Sequence, residues 1–522
     1  MQSFVLAGGR LRDMAGASEL LDRLCAYPHE PGRGGESGDL LGTVMAATGL
    51  ADDEVTFSRR AGGAFTVVAA RRDPLLRLRR LWTLAVRQHA PGLVFVDALA
   101  GGDGAKQGEA IRAASALLQG ARSRMSPELP PLGPVTARAP RSGRPVVGSE
   151  MAEQVDAVTL RKTLETFRRG SSLGRRFLGD EADAFVWPKY LDDEPGAEGE
   201  AVFPFRDEKR QLAVIHADGN GLGRILIELG RTLTEGGRDD DYAAIFRDFS
   251  RAVDRITRSA VLRATKAVVT PQAVDTILPM RPIVLGGDDL TLILRADLAI
   301  PFCRVFLAAF RDESGRELGR LIEESNLSGM IPGRLTAGAG IVFVKARQPF
   351  HRAYDLCEEL AAVAKARKDG GGQHVAFHRV GGSVMRGWAD IERDELTTRR
   401  GDQSLRLTMS PYRVDGPDDG TPALDDLLRL HRFVESRAAV RGPLRELVGL
   451  LYEGASGAES HWRRWRDVLG ARDREALGAF DELLARLGCQ AGDDLPVDEA
   501  RRTPLLDAVM LGSVGMEPVD TD

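Results

Sequence analysis

Two motifs that place aspartate and glycine beside apolar runs constrain the fold of this chain more than any other feature. The first, residues 211–218, reads QLAVIHAD, which is the pattern of a buried strand ending at Asp218. The second is a Gly-Gly-Asp-Asp tetrapeptide, residues 286–289, between two further apolar runs. Glycine and aspartate are ordinary turn residues, so this segment predicts a hairpin. If these strands are neighbours in one sheet, Asp218, Asp288 and Asp289 meet at one sheet edge.

Three carboxylates at one edge predict a catalytic metal centre. Hard divalent cations prefer oxygen ligands and commonly take one or two carboxylates together with substrate phosphates. Two such ions, about 4 Å apart, can clamp the attacking and leaving oxygens of a phosphoryl transfer. Clustered like charges are otherwise unfavourable, and a bound cation relieves the repulsion. We therefore expect Asp218, Asp288 and Asp289 to be catalytic and to bind two Mg²⁺ or Mn²⁺ ions.

The glycines beside these aspartates suit a nucleotide. Gly219, Gly221 and Gly223 let backbone N–H groups approach phosphates at the start of a helix, where the helix dipole also favours anions. Gly286 and Gly287 permit a tight turn and leave room for a base or ribose. Each motif alone has a plainer interpretation: the tetrapeptide as a turn only, and Gly-Asn-Gly-Leu-Gly as a loop without the full dinucleotide-binding spacing.

The order of predicted elements indicates an α+β chain with an internal duplication. The first 105 residues alternate as β-α-β-β-α-β, the ferredoxin-like order, with strands at SFVLAG and GLVFVDAL among them. Residues 206–382 repeat this order on a larger scale, and Gly62-Gly63 corresponds to Gly286-Gly287. We predict four domains: a degenerate ferredoxin-like domain (1–105), a helical and basic connector (106–205), a catalytic domain (206–382) and a helical C-terminal domain (383–522).

Composition limits the classes of partner and compartment. The net charge is −5, so no global positive field would hold a long nucleic acid, and any polyanion contact is local. Four widely spaced cysteines predict neither a disulfide framework nor a zinc ribbon and favour a reducing cytoplasm. No apolar run approaches the length of about 20 residues that spans a bilayer. The basic segment 161–176 is interpreted as a solvated helix face rather than an RNA contact. Trp462 and Trp465 are expected to pack a helical core.

With these motifs in view, the sequence resembles the large-subunit family of type III CRISPR effector complexes, which is related to GGDEF nucleotide cyclases and polymerase palms. The resemblance rests on HADGNGLG and LGGDDL, and extends through TAGAGIVFVKARQPFHRA and a helix ending AKARK. The first half resembles the inactive first palm of that family, with Gly62-Gly63-Ala64-Phe65 lacking carboxylates. The resemblance implies two ferredoxin-like palms, the second of them active.

The resemblance also implies the activity and the residues that perform it. It implies synthesis of cyclic oligoadenylates from ATP, as second messengers in antiviral defence, with the metals at Asp218, Asp288 and Asp289. It places Asn220 against a base and Lys365 against a triphosphate. Lys365 has an equal alternative as a solvated lysine at a helix end, where the helix dipole favours a cation.

Two departures from the family pattern leave the partners open. No histidine of this sequence is followed by aspartate, so we expect a variant without the family's HD nuclease domain, and the family's zinc-binding cysteines are absent. The chain therefore either joins guide and target RNA and other CRISPR-type subunits or works alone, and a homo-oligomer is compatible with both. Alternatives to the oligoadenylate activity are another nucleotide cyclase, making a cyclic di- or mononucleotide, and a non-catalytic scaffold of an RNA-guided complex.

Overall fold

The structure is a computed structural model of the chain. It describes residues 2–7, 10–25, 40–50, 54–61, 63–102, 104–123, 135–150, 153–166, 172–191, 201–366, 371–382, 384–400, 403–436, 441–490, 492 and 494–517. It confirms the α+β class, since helices surround a central six-stranded sheet.

The first part of the chain is mostly helical around one hairpin. Its elements are α1 (Gln2–Leu6), α2 (Leu11–Cys25), α3 (Leu40–Thr48), β1 (Thr56–Ala61), β2 (Ala64–Val68), α4 (Arg72–His89) and α5 (Gln107–Arg122). The predicted hairpin at Gly62-Gly63 is confirmed, because Ala61 pairs with Ala64 and Gly63 has a φ of +68°. Gly62 itself lies outside the described residues.

The two outer strands predicted for this region are wrong. The segment SFVLAG forms α1, whose apolar side chains Phe4, Val5 and Leu6 are buried. Residues 93–100 (LVFVDALA) run without strand pairing. A short apolar run carries no periodicity that distinguishes strand from helix, so packing decides between them. The first half thus keeps the central hairpin of the predicted duplicate, and a complete ferredoxin-like first domain is not confirmed.

The connector contains a hairpin that the sequence did not reveal. Its elements are β3 (Val146–Glu150), β4 (Glu153–Asp156), α6 (Ala157–Thr166) and α7 (Ser172–Leu178). The interpretation of its basic residues as a solvated face is wrong at two positions. Lys162 is 2% exposed, and its ammonium donates a hydrogen bond to the carbonyl of Phe4. Burial lowers the pKa of Lys162 to about 8.

Arg176 is the second buried cation of the connector. It pairs with Asp22 of α2, with one N–O distance of 2.6 Å, and donates a 2.7 Å hydrogen bond to the carbonyl of Leu285. Because the guanidinium can make several hydrogen bonds at once, it joins the connector, α2 and the strand that leads into the Gly-Gly-Asp-Asp turn. Arg176 therefore has a structural role and does not lie on a solvated helix face.

The central region contains the predicted β-α-β-β-α-β order and additional helices. Its elements are β5 (Gln211–Gly219), α8 (Leu222–Glu235), α9 (Tyr242–Ala264), β6 (Met280–Gly286), β7 (Asp289–Arg295), α10 (Ala299–Ser325), β8 (Ala337–Lys345), α11 (Phe350–Lys365) and β9 (Gln373–Arg379). A π-helical turn, Thr265–Val269, continues α9. Strand β5 is buried along nearly its whole length, as its unbroken apolar run predicts.

The last part of the chain adds helices and three short strands. Its elements are α12 (Trp388–Asp394), β10 (Thr397–Arg400), β11 (Gln403–Arg406), β12 (Tyr412–Asp415), α13 (Leu424–Glu435), α14 (Arg441–Glu453), α15 (Ala455–Arg472), α16 (Arg474–Arg486) and α17 (Leu505–Ser513). The predicted helical character is confirmed, but β12 joins the central sheet, which the sequence did not indicate. Trp462 and Trp465 stack with ring centroids 5.3 Å apart inside this helical core, as expected.

The strand order of the central sheet, β12-β9-β8-β5-β7-β6, places β5 between β8 and β7. All neighbouring strands are antiparallel except β8 and β9. Helix α11 packs across β8, β5 and β9, while α9 and α10 pack on each other. In the part of the chain that the structure describes, no helix combines the length and apolarity needed to cross a bilayer.

Candidate functional site

The sheet brings the three predicted carboxylates to one edge. In the antiparallel pairing of β5 with β7, Ala217 lies opposite Leu290, so the next position of each strand holds Asp218 and Asp289. Asp288 lies in the turn between β6 and β7, where Gly286 pairs with Asp289. The strands that carry Asp218 and Asp289 are therefore neighbours in the sheet, as the convergence of the aspartates requires.

Asp218 and Asp288 share a hydrogen bond between their carboxyl groups. Burial raises the pKa of Asp288 to about 7, and the hydrogen bond and negative charge of Asp218 add to the effect. Burial opposes ionisation of Asp218 as well, but its hydrogen bonds with Asp288 and Lys365 outweigh that and lower its pKa. The two shifts are opposite in direction, so a single proton on this pair resides mainly on Asp288.

Lys365 completes this cluster from the last residue of α11. Its ammonium donates a hydrogen bond to Asp218 Oδ2, and the two side chains are 26% and 33% exposed. The lysine is thus ion-paired at the site, which differs from the interpretation as a solvated helix end. A contact with a triphosphate stays a prediction.

The surroundings of Asp289 strongly oppose its ionisation. Burial raises its pKa well above the ordinary value, and the charges of Asp218 and Asp288 raise it further. His216 Nδ1 lies 3.4 Å from Asp289 Oδ1 but without hydrogen-bond geometry, and the ring nitrogen instead lies 3.1 Å from Thr291 Oγ1. Among the described residues Asp289 Oδ1 is buried with no hydrogen-bond partner. A buried acceptor of this kind is costly unless a ligand satisfies it.

The raised pKa of Asp288 predicts a pH-dependent stability in the absence of metal. Between the ordinary pKa of 3.8 and about 7, the folded protein keeps a proton that the unfolded chain releases. The resulting stabilisation is complete below the unfolded pKa and is lost as the pH rises through about 7. The free energy of unfolding of Asp288→Asn should therefore rise relative to that of wild type between pH 4 and 7, by on the order of 3 kcal/mol. Urea unfolding in EDTA measures the difference, and parallel curves for the two proteins would contradict it.

Gly219 is required by the close approach of Asp288. A Cβ at this position would lie 2.2 Å from Leu222 Cδ1 and 3.0 Å from Asp288 Oδ2. Gly221 precedes α8 with a φ of +68°, a left-handed conformation that favours glycine. Gly223 stands in the first turn of α8, and no atom of a described residue lies within 4 Å of a Cβ placed there, so the described structure leaves this helix start open. Their predicted contact with phosphates stays a prediction.

The turn glycines and Asn220 take defined positions. Gly287 has a φ of +65°, which explains glycine at the first residue of this two-residue turn. The amide nitrogen of the Asn220 side chain donates to Thr336 Oγ1 at 2.9 Å, and its backbone N–H donates to Thr336 O at 2.8 Å. Asn220 is 8% exposed, so it ties the end of β5 to the start of β8. Its contact with a base stays a prediction.

Two glycines of β8 let α11 carry Lys365 to Asp218. A Cβ at Gly338 would lie 2.7 Å from Lys365 Cγ, and one at Gly340 would lie 2.2 Å from the carbonyl oxygen of Cys357. The helix backbone therefore lies directly on the strand. This explains the Thr-Ala-Gly-Ala-Gly segment as a helix-packing surface, a role that the sequence alone did not indicate.

Sequence reasoning missed three further groups at the site. Tyr354 donates a 2.9 Å hydrogen bond to Glu358, and the negative charge of Glu358 contributes to the raised pKa of Asp289. Glu358 and Lys365 are seven residues apart on α11, two helical turns, so their common face was visible in the sequence. Arg59 of β1 acts electrostatically on Asp288, which places the first-half hairpin near the site. No local pattern predicts that contact, because it joins distant parts of the chain.

The three aspartates offer a donor set suited to a divalent cation by its chemistry. Within the described ranges, no group of three or more histidine, cysteine, aspartate or glutamate side chains stands in metal-ligating geometry. Lys365 and the shared hydrogen bond take oxygens of Asp218 and Asp288. The chemistry of the set nevertheless fits a hard cation, since it offers carboxylate oxygens only and Asp289 Oδ1 is buried without a partner. Asp218, Asp288 and Asp289 are the residues that would hold it.

Comparison with known proteins identifies the central region. Residues 211–372 match the family model of the Cas10/Cmr2 second palm domain. This match covers β5 to the residue before β9 and includes all three aspartates, and it confirms the family resemblance seen in the motifs. A comparison with curated protein sequences finds no match.

Solved structures similar to the chain include three of Csm1. The Csm1–Csm4 cassette in complex with cA3 has a TM-score of 0.47 and 13% identity, covering 99% of this chain and 68% of that chain. The cassette in complex with cA4 has a TM-score of 0.46 and 16% identity, with the same coverage. Csm1 in T. onnurineus has a TM-score of 0.42 and 16% identity, covering 95% of this chain and 68% of that chain.

Proposed function

Residues 211–372 match the family model of the Cas10/Cmr2 second palm domain, and from that match we propose that the chain is a metal-dependent nucleotidyltransferase that converts ATP into cyclic oligoadenylates. The observation that carries the proposal is the meeting of Asp218, Asp288 and Asp289 at one sheet edge, where Asp289 Oδ1 is buried with no hydrogen-bond partner among the described residues. A purely structural cluster of acids would be expected to have its oxygens satisfied.

In the proposed reaction a ribose hydroxyl of one ATP attacks the α-phosphorus of another. The new O–P bond forms as the bond to the pyrophosphate leaving group breaks, the hydroxyl proton is released, and a final intramolecular attack closes the ring. Bound Mg²⁺ or Mn²⁺ would supply Lewis-acid stabilisation of the charge that develops on the transferred phosphoryl group. Asp218, Asp288 and Asp289 would hold these cations, and the backbone N–H groups after Gly221 would favour the phosphates at the start of α8.

Lys365 is proposed to exchange its partner when a nucleotide binds. Its ion pair with Asp218 is only partly buried, so a triphosphate can compete for the ammonium while a cation takes the carboxylate. Lys365→Gln should weaken nucleotide binding by about tenfold, since hydrogen bonds to charged groups contribute roughly 1.5–3 kcal/mol. Lys365→Arg keeps the charge and should retain most of the affinity. Equal nucleotide affinity for wild type and Lys365→Gln would remove Lys365 from the site.

Product analysis tests the reaction itself. The protein is incubated with each of the four nucleoside triphosphates and Mn²⁺, and the products are identified by mass. We expect adenylate rings and pyrophosphate from ATP alone. A cyclic dinucleotide or mononucleotide would favour the alternative of another nucleotide cyclase.

The partners are proposed to be those of an RNA-guided complex. The similar structures of Csm1 include cassettes with Csm4, and the proposal extends such an assembly, with guide and target RNA, to this chain. Incubations should therefore be repeated with the natural partners present. Copurification of RNA with no turnover of any triphosphate under either condition would favour the scaffold alternative and would count against the enzyme.

A further inference from the structure

A cavity lies at the end of the sheet opposite to the aspartates. It has a volume of about 770 Å³ and is bounded by the start of β5, the ends of β8 and β9, and helices α14 and α17. Gln211 begins β5 and Asp218 lies seven residues further along it, which corresponds to roughly 23 Å at about 3.3 Å per residue. The cavity is therefore separate from the candidate active site.

The lining of this cavity is strongly cationic. It contains one acidic side chain, Glu208, and six basic ones: Lys209, Arg210, Lys345, Arg347, Arg379 and Arg445. Further acidic groups lie nearby, since Glu435 accepts a 3.3 Å hydrogen bond from Arg445 and Asp207 accepts one from the backbone of Lys209. The excess of positive charge is local, because the whole chain carries a net charge of −5.

Three of these cations have no acidic partner in the described part of the chain. Considering only the residues that the structure describes, the side chains of Lys209, Lys345 and Arg379 form no ion pair. They reach the cavity from three separate segments: the loop before β5, the end of β8 and the end of β9. Like charges that converge without counter-charges repel each other, and a bound polyanion relieves that repulsion.

The cavity also offers groups that suit the remainder of a nucleotide. Gln211 Oε1 is buried with no hydrogen-bond partner among the described residues and lies in the lining. Ala346 and Val509 contribute apolar surface. A base or ribose donor can satisfy the amide oxygen, and the volume falls within the range of about 300–1,000 Å³ that accommodates small ligands.

From the convergent cations, the unsatisfied Gln211 and the size of the cavity, we propose that this rear pocket binds a nucleoside polyphosphate. The phosphates bind Lys345, Arg379 and Lys209, and the nucleoside lies toward Gln211. The proposal does not depend on the reaction proposed for the aspartates, because no residue of that cluster takes part.

Calorimetric titration of the full chain in EDTA tests the proposal, with ATP and inorganic tripolyphosphate as probes. EDTA removes divalent metal ions, so the carboxylates of the aspartates repel the phosphates of ATP. The rear pocket keeps its own basic side chains and needs no metal ion. We expect about one ATP per chain, with an affinity that falls as salt is added. Lys345→Ala/Arg379→Ala should weaken ATP binding by about tenfold or more, which corresponds to about 1.4 kcal/mol. ATP should bind more tightly than tripolyphosphate.

The matched control is Arg316→Ala/Arg320→Ala on α10. It removes the same charge from exposed positions, 64% and 59% exposed, outside the cavity. Equal weakening by both double variants would assign the effect to net charge and overturn the pocket. No loss of affinity in Lys345→Ala/Arg379→Ala would also overturn it, and tripolyphosphate binding as tightly as ATP would overturn the nucleoside part. Thermal unfolding is recorded for each variant, and the exposed Lys209→Ala provides the same test if the double variant is unstable.

Discussion

Replacing Asp288 and Asp289 together with asparagine should reduce the formation of oligoadenylate from ATP by about a thousandfold or more, without destabilising the fold. The loss is expected because the variant lacks two carboxylates that would hold the cations. Removing one group that stabilises transition-state charge typically lowers the rate by roughly 10²–10³-fold. The fold should be as stable as wild type or more so, because burial raises the pKa of both acids and neighbouring charges add to it. Asparagine removes that electrostatic cost while keeping the size of the side chain.

Two readouts make this prediction decisive. Product is measured by mass under conditions in which wild type turns over, and the stabilisation of the protein by Mn²⁺ is measured by thermal unfolding. Wild type should be stabilised by Mn²⁺ and the double variant should not. The control is Asp355→Asn, which removes an exposed carboxylate from α11 of the same domain and should leave both readouts unchanged. Undiminished product from the double variant would remove these residues from the reaction.

Gly340→Ala should destabilise the protein by about 2 kcal/mol or more and should also weaken nucleotide binding. The new methyl group would lie 2.2 Å from the carbonyl oxygen of Cys357 and 2.6 Å from the backbone nitrogen of Ala361. Both are backbone atoms of α11, so the helix must move away from β8, and overpacking of this kind costs typically 1–3 kcal/mol. Because Lys365 is the last residue of α11, the same movement draws its ammonium away from Asp218.

The control substitution is expected to change the stability of the protein in the opposite direction. Gly319 lies inside α10, and a Cβ placed there would have no atom of the described chain within 4 Å. Gly319→Ala should therefore stabilise the protein by about 0.5–1 kcal/mol, the ordinary gain from alanine in a helix. Urea unfolding measures both variants, and ATP titration measures the second effect of Gly340→Ala. A neutral Gly340→Ala would show that α11 does not lie as close to β8 as the structure indicates.

The sequence predicted the elements whose patterns are long or chemically distinctive. Strand β5 and the hairpin that holds Asp288 and Asp289 were predicted correctly because continuous apolar runs bounded by glycine identify buried strands. The convergence of Asp218 with that hairpin required only that the strands be neighbours, and the sheet satisfies this condition.

Other features depend on packing that no local pattern reveals. The segment SFVLAG is apolar in either conformation, and its burial as a helix is decided by contact with α2. The ion pair of Lys365 with Asp218 joins residues 147 positions apart, and it depends on Gly338 and Gly340, which resemble ordinary strand glycines in the sequence. Likewise, Lys162 and Arg176 have the sequence signature of a solvated helix but are buried by the first helices. The division into four domains stays a prediction.

The position of β5 between two antiparallel neighbours has a consequence for the exchange of backbone amide hydrogens. Opening this strand requires the loss of hydrogen bonds to both β7 and β8, so its amides should be released only by opening that approaches global unfolding. The last turn of α11 has one set of intrahelical bonds to lose and should exchange far sooner. The carboxylate of Asp218 is therefore carried by one of the slowest-exchanging segments, and its lysine partner by a faster one.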